Sequence, residues 1–163
     1  MTYRVCFVCT GNICRSPMAE SVFRARVADA GLADRVVVDS AGTGGWHEGD
    51  PADPRTVSVL EAHDYDGGHS ARQFRVSWFA GLDLVIALDS GHLKVLRGLA
   101  PTARDAAKVR LLRAYDPAAG DDLDVPDPYY GEMEGFEACL EMVEAASDGL
   151  LAAVRAHLEG QAA

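Results

Sequence analysis

The chain has 163 residues, 48% of them hydrophobic, which suits one globular domain with its own core, and we expect that domain to span residues 1–163. We expect no membrane association, because no stretch reaches the roughly 20 consecutive apolar residues of a membrane-spanning helix and the N-terminus lacks a signal-peptide pattern. The net charge of −10 argues against a nucleic-acid partner, which would require a basic face. Four cysteines, two of them in one short loop, do not suggest a disulfide framework. We therefore expect a cytoplasmic protein, with export by an unusual route left open.

Predicted strands and helices alternate along the chain. Apolar runs predict strands at residues 3–8, 36–38, 83–88 and 109–112. Apolar residues at helical spacing predict helices at 17–30, 54–63 and 90–99. Ser16 and Ser90 are the predicted N-caps of the first and third of these helices. A closing segment at 136–158 is predicted as one or two helices, with a break at residues 147–149.

The predicted strands are apolar on both faces, which is typical of a parallel sheet covered by helices on each side. Ligands of such sheets bind at the carboxyl ends of the strands. Residues 9–16 lie at one such end, between the first strand and the first helix. We therefore expect the functional site in this loop.

The loop has the sequence Cys9-Thr10-Gly11-Asn12-Ile13-Cys14-Arg15-Ser16. A helix start presents unpaired backbone N–H groups and a positive dipole potential, and together they bind phosphate. The guanidinium of Arg15 matches two phosphate oxygens, and the positive field favours the thiolate of Cys9. A thiolate that faces a bound phosphate can attack phosphorus. The loop therefore predicts a phosphoryl-transfer site.

The run CTGNICRSPMAE resembles the active-site loop of the low-molecular-weight protein tyrosine phosphatases, and later motifs match that family in order along nearly the whole chain. The resemblance implies a bacterial member with an α/β fold, a four-stranded parallel sheet and about five helices. It implies a hydrolase that uses Cys9 as nucleophile, forms a phosphocysteine intermediate, and needs neither cofactor nor metal ion. It also implies that Arg15 binds the phosphate together with the loop residues Thr10, Gly11, Asn12, Ile13, Cys14 and Ser16.

Hydrolysis of a phosphate ester also needs an acid for the leaving oxygen and a base for water. Asp127 lies in the run Asp-Pro-Tyr-Tyr, in the loop after the fourth strand, at the same predicted sheet edge as Cys9. The negative charges of a thiolate and a phosphate nearby would favour its protonated form. Asp50, Asp53 and Asp116 also precede prolines, but none is followed by an aromatic pair. The resemblance implies that Asp127 is the general acid.

Further residues are predicted to support the loop. Asn12 is of a type that tolerates the left-handed backbone that a tight loop requires. The resemblance implies that Ser40 and His69 hydrogen-bond Asn12, and that Ser16 stabilises the Cys9 thiolate. Without the resemblance, His69 would be interpreted as a surface histidine.

Three aromatic residues, Trp46, Tyr129 and Tyr130, are expected to form the walls of a deep apolar slot. A phosphotyrosine would reach the bottom of such a slot, whereas a phosphoserine would not.

Cys14 lies close to Cys9 in sequence, and two hypotheses stay open for it. It forms a reversible disulfide that protects Cys9 from deeper oxidation, or it packs beneath the loop.

Three alternatives to a tyrosine phosphatase stay open. A protein arginine phosphatase would share the chemistry, but those relatives carry threonine where this chain has Ile13. A thioredoxin-coupled arsenate reductase needs two further cysteines, and residues 82–99 contain none. A non-catalytic phosphotyrosine-binding module would need neither Cys9 nor Asp127.

We expect tyrosine-phosphorylated proteins as partners and a monomeric chain, with a weak dimer as the other possibility.

Overall fold

Four parallel strands form the central sheet of the computed structural model, which describes residues 2–162. The strands are β1 (Tyr3–Cys9), β2 (Val36–Gly42), β3 (Leu84–Ala87) and β4 (Val109–Leu111). Their order across the sheet is β2-β1-β3-β4, and each neighbouring pair is parallel. The predicted parallel sheet of four strands is confirmed, although β2 continues beyond its predicted end.

The carboxyl end of β1 lies between those of two other strands. Cys9, the last residue of β1, pairs with Gly42 of β2, and Val8 pairs with Ala87 of β3. The chain goes from β1 to β2 on one side and then to β3 on the other, so the strand order reverses at β1. The loops that leave a sheet at such a reversal diverge and open a crevice, and Cys9 lies at this crevice.

Five α-helices occur among the described residues: α1 (Arg15–Asp29), α2 (Pro54–Ala62), α3 (Ser90–Leu99), α4 (Ala103–Ala107) and α5 (Met133–Ala162). Short 3₁₀ segments cover Val76–Gly81 and Leu112–Tyr115. On one face of the sheet, Phe7 packs with side chains of α1 and α5. On the other face, Val8 packs with Phe79 and Leu96. Both faces of the sheet are therefore buried, as the apolar strands predict.

Helix α5 is continuous, so the predicted break at residues 147–149 is wrong. Ser147 is buried and donates its hydroxyl to the Val143 carbonyl at 2.7 Å, one turn back in the same helix. Gly149 lies against the Tyr115 carbonyl, where a Cβ would overlap the backbone. This glycine therefore lets α5 approach the segment Leu112–Tyr115 closely and does not end a helix.

Both predicted N-caps are wrong. Helix α3 is capped by Asp89, whose side chain accepts a hydrogen bond from the His92 N–H, and Ser90 is already helical. Helix α1 has Cys14 at its N-cap without a capping side-chain bond, and Ser16 lies inside the helix. The short helix α4, which the sequence did not predict, is capped by Thr102. Within residues 2–162, no helix combines the length and the apolar composition needed to cross a bilayer.

Candidate active site

The loop of residues 10–14 connects the end of β1 to the start of α1 and carries unused hydrogen-bond donors. Cys14, the N-cap of α1, makes no side-chain capping hydrogen bond, so the first N–H groups of this helix lack that partner. Within residues 2–162, the backbone N–H groups of residues 11–14 donate no hydrogen bond to another residue. Together with the helix dipole, these donors form a binding site for an anion.

Asn12 is the structural centre of the loop. Its φ of 57° lies in the left-handed region, as the sequence predicts, and it is fully buried. Its Oδ1 accepts a hydrogen bond from the Arg72 N–H at 3.0 Å, which orients the amide. Its Nδ2 donates to Ser16 Oγ at 2.7 Å and to Ser40 Oγ at 3.0 Å. His69 Nε2 donates to the Asn12 carbonyl at 2.8 Å, so the structure brings both predicted supporting residues to Asn12.

The Ser16 hydroxyl lies 3.0 Å from Cys9 Sγ. Because Ser16 Oγ accepts from Asn12, its own proton is left for the Cys9 sulfur, or for the Ala41 carbonyl at 3.3 Å. Cys9 is only 3% exposed. The hydroxyl that was predicted to cap α1 therefore points at the candidate nucleophile.

Arg15 is buried and held from two directions. Its Nη1 donates to Asp89 Oδ2 at 2.8 Å and to the Val125 carbonyl at 2.8 Å. Burial works against the charge of Arg15, but its pKa is raised because Cys9 and Asp89 favour the cation. Burial also opposes ionisation of Asp89, yet its pKa is lowered by the His92 N–H and by Arg15.

Asp89 and His92 are two site residues that the sequence analysis missed. His92 is buried, with Nε2 2.8 Å from Thr10 Oγ1 and Nδ1 3.2 Å from Asp89 Oδ1. Burial lowers the pKa of its imidazole. The signal available was the position of Asp89 directly after a buried strand whose carboxyl end lies beside that of β1.

A cavity of about 250 Å³ opens above the loop, and Cys9, Arg15 and Asp127 all line it. The predicted wall residues Trp46, Tyr129 and Tyr130 also line this cavity. Trp46 is 75% exposed and Tyr130 is 91% exposed, so these two rings mark the mouth, whereas the buried Cys9 marks the floor. The structure thus brings together the residues of the predicted slot.

Asp127 lies beside Arg15 at the edge of this cavity. Its Oδ2 is 3.8 Å from Arg15 Nη2, and its Oδ1 accepts the Tyr129 N–H at 3.1 Å. Its side chain is 44% exposed, so it is accessible to a ligand or to water. A thiol, a carboxyl group and a buried guanidinium thus line one cavity.

Cys14 is buried and also lines the cavity, and burial raises the pKa of its thiol to about 12. All four cysteines of the chain are free and buried. The disulfide between Cys9 and Cys14 stays a prediction. Among residues 2–162, no group of three or more His, Cys, Asp or Glu side chains is arranged to hold a metal ion.

Comparison with known proteins agrees with the resemblance carried by the loop. The family model described as "Low molecular weight phosphotyrosine protein phosphatase" matches residues 4–160. The chain is 76% identical to a Streptomyces coelicolor protein named "Low molecular weight protein-tyrosine-phosphatase", with 100% of each chain covered. The chain therefore belongs to the low-molecular-weight protein tyrosine phosphatase family, which is a family of hydrolases.

Solved structures share the fold over nearly the whole chain. A protein tyrosine phosphatase from Entamoeba histolytica, crystallised with Hepes in the active site, has a TM-score of 0.91 and 31% identity. The match covers 98% of this chain and 99% of the Entamoeba chain. A mutant of the YwlE arginine phosphatase, with a phosphorylated active-site serine, has a TM-score of 0.82 and 29% identity. The match covers 93% of this chain and 95% of the YwlE chain. Because the names of these two proteins give different phosphorylated residues, the fold alone does not choose the substrate.

Proposed function

We propose that the protein hydrolyses phosphotyrosine in proteins through a phosphocysteine intermediate, as a single phosphatase domain over residues 1–163. The observation that carries this proposal is the one cavity that Cys9, Arg15 and Asp127 share. A nucleophile, a fixed cation and a proton donor are the three groups that this route of ester hydrolysis requires.

In the first step, Cys9 Sγ attacks phosphorus while the bond between phosphorus and the tyrosine oxygen breaks. Asp127 gives its proton to the departing oxygen, so that tyrosine leaves as the neutral phenol. Arg15 and the N–H groups of residues 11–14 bind the non-bridging phosphate oxygens. The Ser16 hydroxyl, 3.0 Å from Sγ, donates to the thiolate before the attack.

In the second step, water attacks the phosphocysteine. Asp127, now a carboxylate, takes a proton from that water, and the bond between sulfur and phosphorus breaks. Inorganic phosphate leaves, and the Cys9 thiolate again accepts the hydrogen bond from Ser16. Asp127 ends the cycle protonated, so one carboxyl group serves both steps.

The walls of the cavity support an aromatic substrate. Trp46 and Tyr130 at the mouth and the buried Ile13 below offer apolar surface on more than one side. Burying apolar surface contributes about 25 cal/mol per Å², so a phenyl ring in the slot adds binding energy that the short phosphoserine side chain lacks. This argument favours phosphotyrosine.

Phosphoarginine is the second candidate substrate, because the fold is shared with the YwlE arginine phosphatase. The apolar side chain of Ile13 in the cavity suits a phenyl ring better than a charged guanidinium.

An arsenate reductase is disfavoured for a different reason, since its disulfide relay needs accessible thiols. Cys6 and Cys139 are buried in the core, and burial raises the pKa of Cys139 to about 12.

We further propose that the protein acts in the cytoplasm as a monomer, on tyrosine-phosphorylated partner proteins. Its net charge of −10 supports a monomer, because like charge keeps copies of the chain apart. The four free thiols support a reducing compartment.

Release of phosphate from three peptides tests the proposal. The peptides share one sequence and carry phosphotyrosine, phosphoserine or phosphoarginine, and the buffer contains a chelator. The wild-type protein should release phosphate from the phosphotyrosine peptide alone, and Cys9→Ala should release none. A preference for phosphoarginine would overturn the substrate and retain the mechanism, whereas no release from any peptide would overturn the assignment as an enzyme.

A matched pair of variants tests the role of Asp127. Asp127→Asn should lower kcat/KM for phenyl phosphate, whose phenolate is a poor leaving group, by about 10²-fold or more. Asp116→Asn is the control, because Asp116 also precedes a proline and uses its Oδ1 only to accept the Ala118 N–H. Equal losses in the two variants would overturn the assignment of Asp127.

A further inference from the structure

Arg55, in the first turn of α2, connects the two loops that carry Cys9 and Asp127. Its Nε and Nη2 donate to the Asp53 carboxylate at 3.0 and 2.9 Å. Its Nη1 donates to the Gly131 carbonyl at 3.1 Å, in the loop that follows Asp127. Its guanidinium carbon lies 4.5 Å from the centre of the Phe136 ring and 5.6 Å from that of Tyr129.

Asp53 carries the connection to the phosphate-binding loop. Its N–H donates to the Ile13 carbonyl at 2.8 Å. Its carboxylate also accepts the Arg55 N–H at 2.9 Å and so caps α2. The hydrogen bond from Arg55 lowers the pKa of Asp53, so the pair is ionised at neutral pH. A bidentate arginine–carboxylate pair has a defined geometry. The contacts from Ile13 through Asp53 and Arg55 to Gly131 therefore form a rigid connection.

The Asp127 loop is held on both sides of Asp127. Before it, the buried Val125 donates its N–H to the Leu88 carbonyl at 2.9 Å. After it, Pro128 is buried and Gly131 accepts the hydrogen bond from Arg55.

Within the described part of the chain, residues 127–131 make turn hydrogen bonds among themselves, and the hydrogen bond from Arg55 to Gly131 is the one that joins them to another segment, beside the ion pair between Asp127 and Arg15. Asp127 itself is half-exposed and lies 3.8 Å from Arg15 Nη2. The position of its carboxyl group therefore depends on how the loop is held on each side of it, and Arg55 supplies the hydrogen bond on the side that follows Asp127.

We propose that Arg55 is a positioning residue that holds the Asp127 loop at a fixed distance from the Cys9 loop. The proposal rests on the proposed role of Asp127 as acid and base. Arg55 touches no reacting atom. Its loss should let the loop move, so that Asp127 spends less time within reach of the leaving oxygen. Attack by Cys9 on an ester with a good leaving group should suffer less, because that oxygen needs little protonation.

Two aryl phosphates separate these effects. Arg55→Met removes the donors and the charge but keeps a long apolar side chain against the rings, and Arg104→Met on the exposed surface of α4 is the control. Arg55→Met should lower kcat/KM for phenyl phosphate about tenfold more than for p-nitrophenyl phosphate, and the control should change neither. Arg55→Lys keeps the charge without the planar fork and should fall between Arg55→Met and wild type. It replaces Arg55→Met in the comparison if thermal melts show that Arg55→Met does not fold.

The double variant with Asp127→Asn decides whether Arg55 acts through Asp127. In that background, Arg55→Met should bring no further selective loss on phenyl phosphate. A selective loss that persists in this background would overturn the proposal, and so would equal losses on both esters in the single variant. If Asp127→Asn itself shows no selectivity between the esters, the assigned acid fails, which is a result separate from that for Arg55.

Discussion

Asp89 accepts a hydrogen bond from Arg15 across 74 positions of sequence, with 2.8 Å between Oδ2 and Nη1. The other carboxylate oxygen of Asp89 accepts the His92 N–H at 2.9 Å, at the start of α3. The Val125 carbonyl binds the same Nη1 atom of Arg15 at 2.8 Å. The guanidinium is thus oriented before any phosphate arrives, which reduces the cost of reorganising it during reaction.

Asp89→Asn should therefore lower activity, although the Asp89 side chain does not line the cavity. The amide has the shape of the carboxylate but lacks the charge that offsets burial of Arg15. We expect kcat/KM for a phosphotyrosine peptide to fall about tenfold, or about 1.4 kcal/mol in transition-state binding. Asp121→Asn, at an exposed position, is the control and should match wild type. A loss of the same size in both variants would contradict the role of Asp89.

Ser16→Ala should slow the reaction of Cys9 with iodoacetate at neutral pH. The variant removes the hydroxyl that lies 3.0 Å from Sγ, so the thiolate loses a hydrogen-bond donor. We expect the alkylation rate to fall about tenfold, followed by mass spectrometry of the Cys9 peptide. Ser21→Ala is a suitable control, because the Ser21 hydroxyl, also on α1, donates to the Asp66 carbonyl at the protein surface and does not line the cavity. An unchanged rate in Ser16→Ala would show that the hydroxyl does not act on the sulfur.

Stability should depend on the buried His92 and the partly buried His69 as the pH falls. Burial lowers the pKa of His69 and of His92 below the ordinary value. The unfolded chain takes up these protons near pH 6.5, whereas the folded protein resists them until the pH is lower. Their contribution to stability is therefore complete above about pH 6.5 and is lost as the pH falls through the folded pKa values. Asp53 and Asp89, whose pKa values are lowered, lose their contributions only at more acidic pH.

The melting temperature should accordingly drop between about pH 7 and about pH 5. In a double variant with His69→Gln and His92→Gln, the melting temperature should change less steeply with pH over that interval. His63→Gln removes an exposed histidine that pairs with Glu137, and it should leave the slope as in wild type. A double variant with the wild-type slope would rule out these two histidines as the source.

Two glycines of α5 should respond in opposite ways to alanine. A Cβ at Gly149 would overlap the Tyr115 carbonyl, so Gly149→Ala should lower the free energy of unfolding by about 1–3 kcal/mol. A Cβ at Gly160 meets nothing within 4 Å, so Gly160→Ala should be neutral or stabilise the helix by up to about 1 kcal/mol. Urea unfolding of the two variants measures both values. Equal stability of the two would contradict the close packing of α5 on the segment Leu112–Tyr115.

The sequence predicts most of what local pattern determines. The alternation of apolar strands and helices predicts the sheet, and the position of Cys9 between a strand and a helix predicts a loop at the sheet edge. Asn12 adopts the left-handed backbone expected of its residue type. Ser40 and His69 could be named only through the family resemblance, because each reaches Asn12 from a distant segment.

The misplaced elements have physical causes that a local pattern does not contain. Ser16 fits the pattern of an N-cap, but its hydroxyl is used by Asn12 and Cys9. Gly149 fits the pattern of a helix break, but its role is set by a backbone carbonyl from another segment. Asp89 lies just after a buried strand, but its contact with Arg15, like that of Arg55 with Gly131, joins segments that a local pattern does not connect.

Detection of a covalent bond between phosphate and Cys9 would be the most direct test of the proposed mechanism. Rapid acid quench of the wild-type protein with a ³²P-labelled phosphotyrosine peptide should trap label on the peptide that contains Cys9. The label should reach at most one phosphate per chain, and Cys9→Ala should carry none. Phosphate release at the wild-type rate with no trapped label, or label on a residue other than Cys9, would contradict the phosphocysteine mechanism.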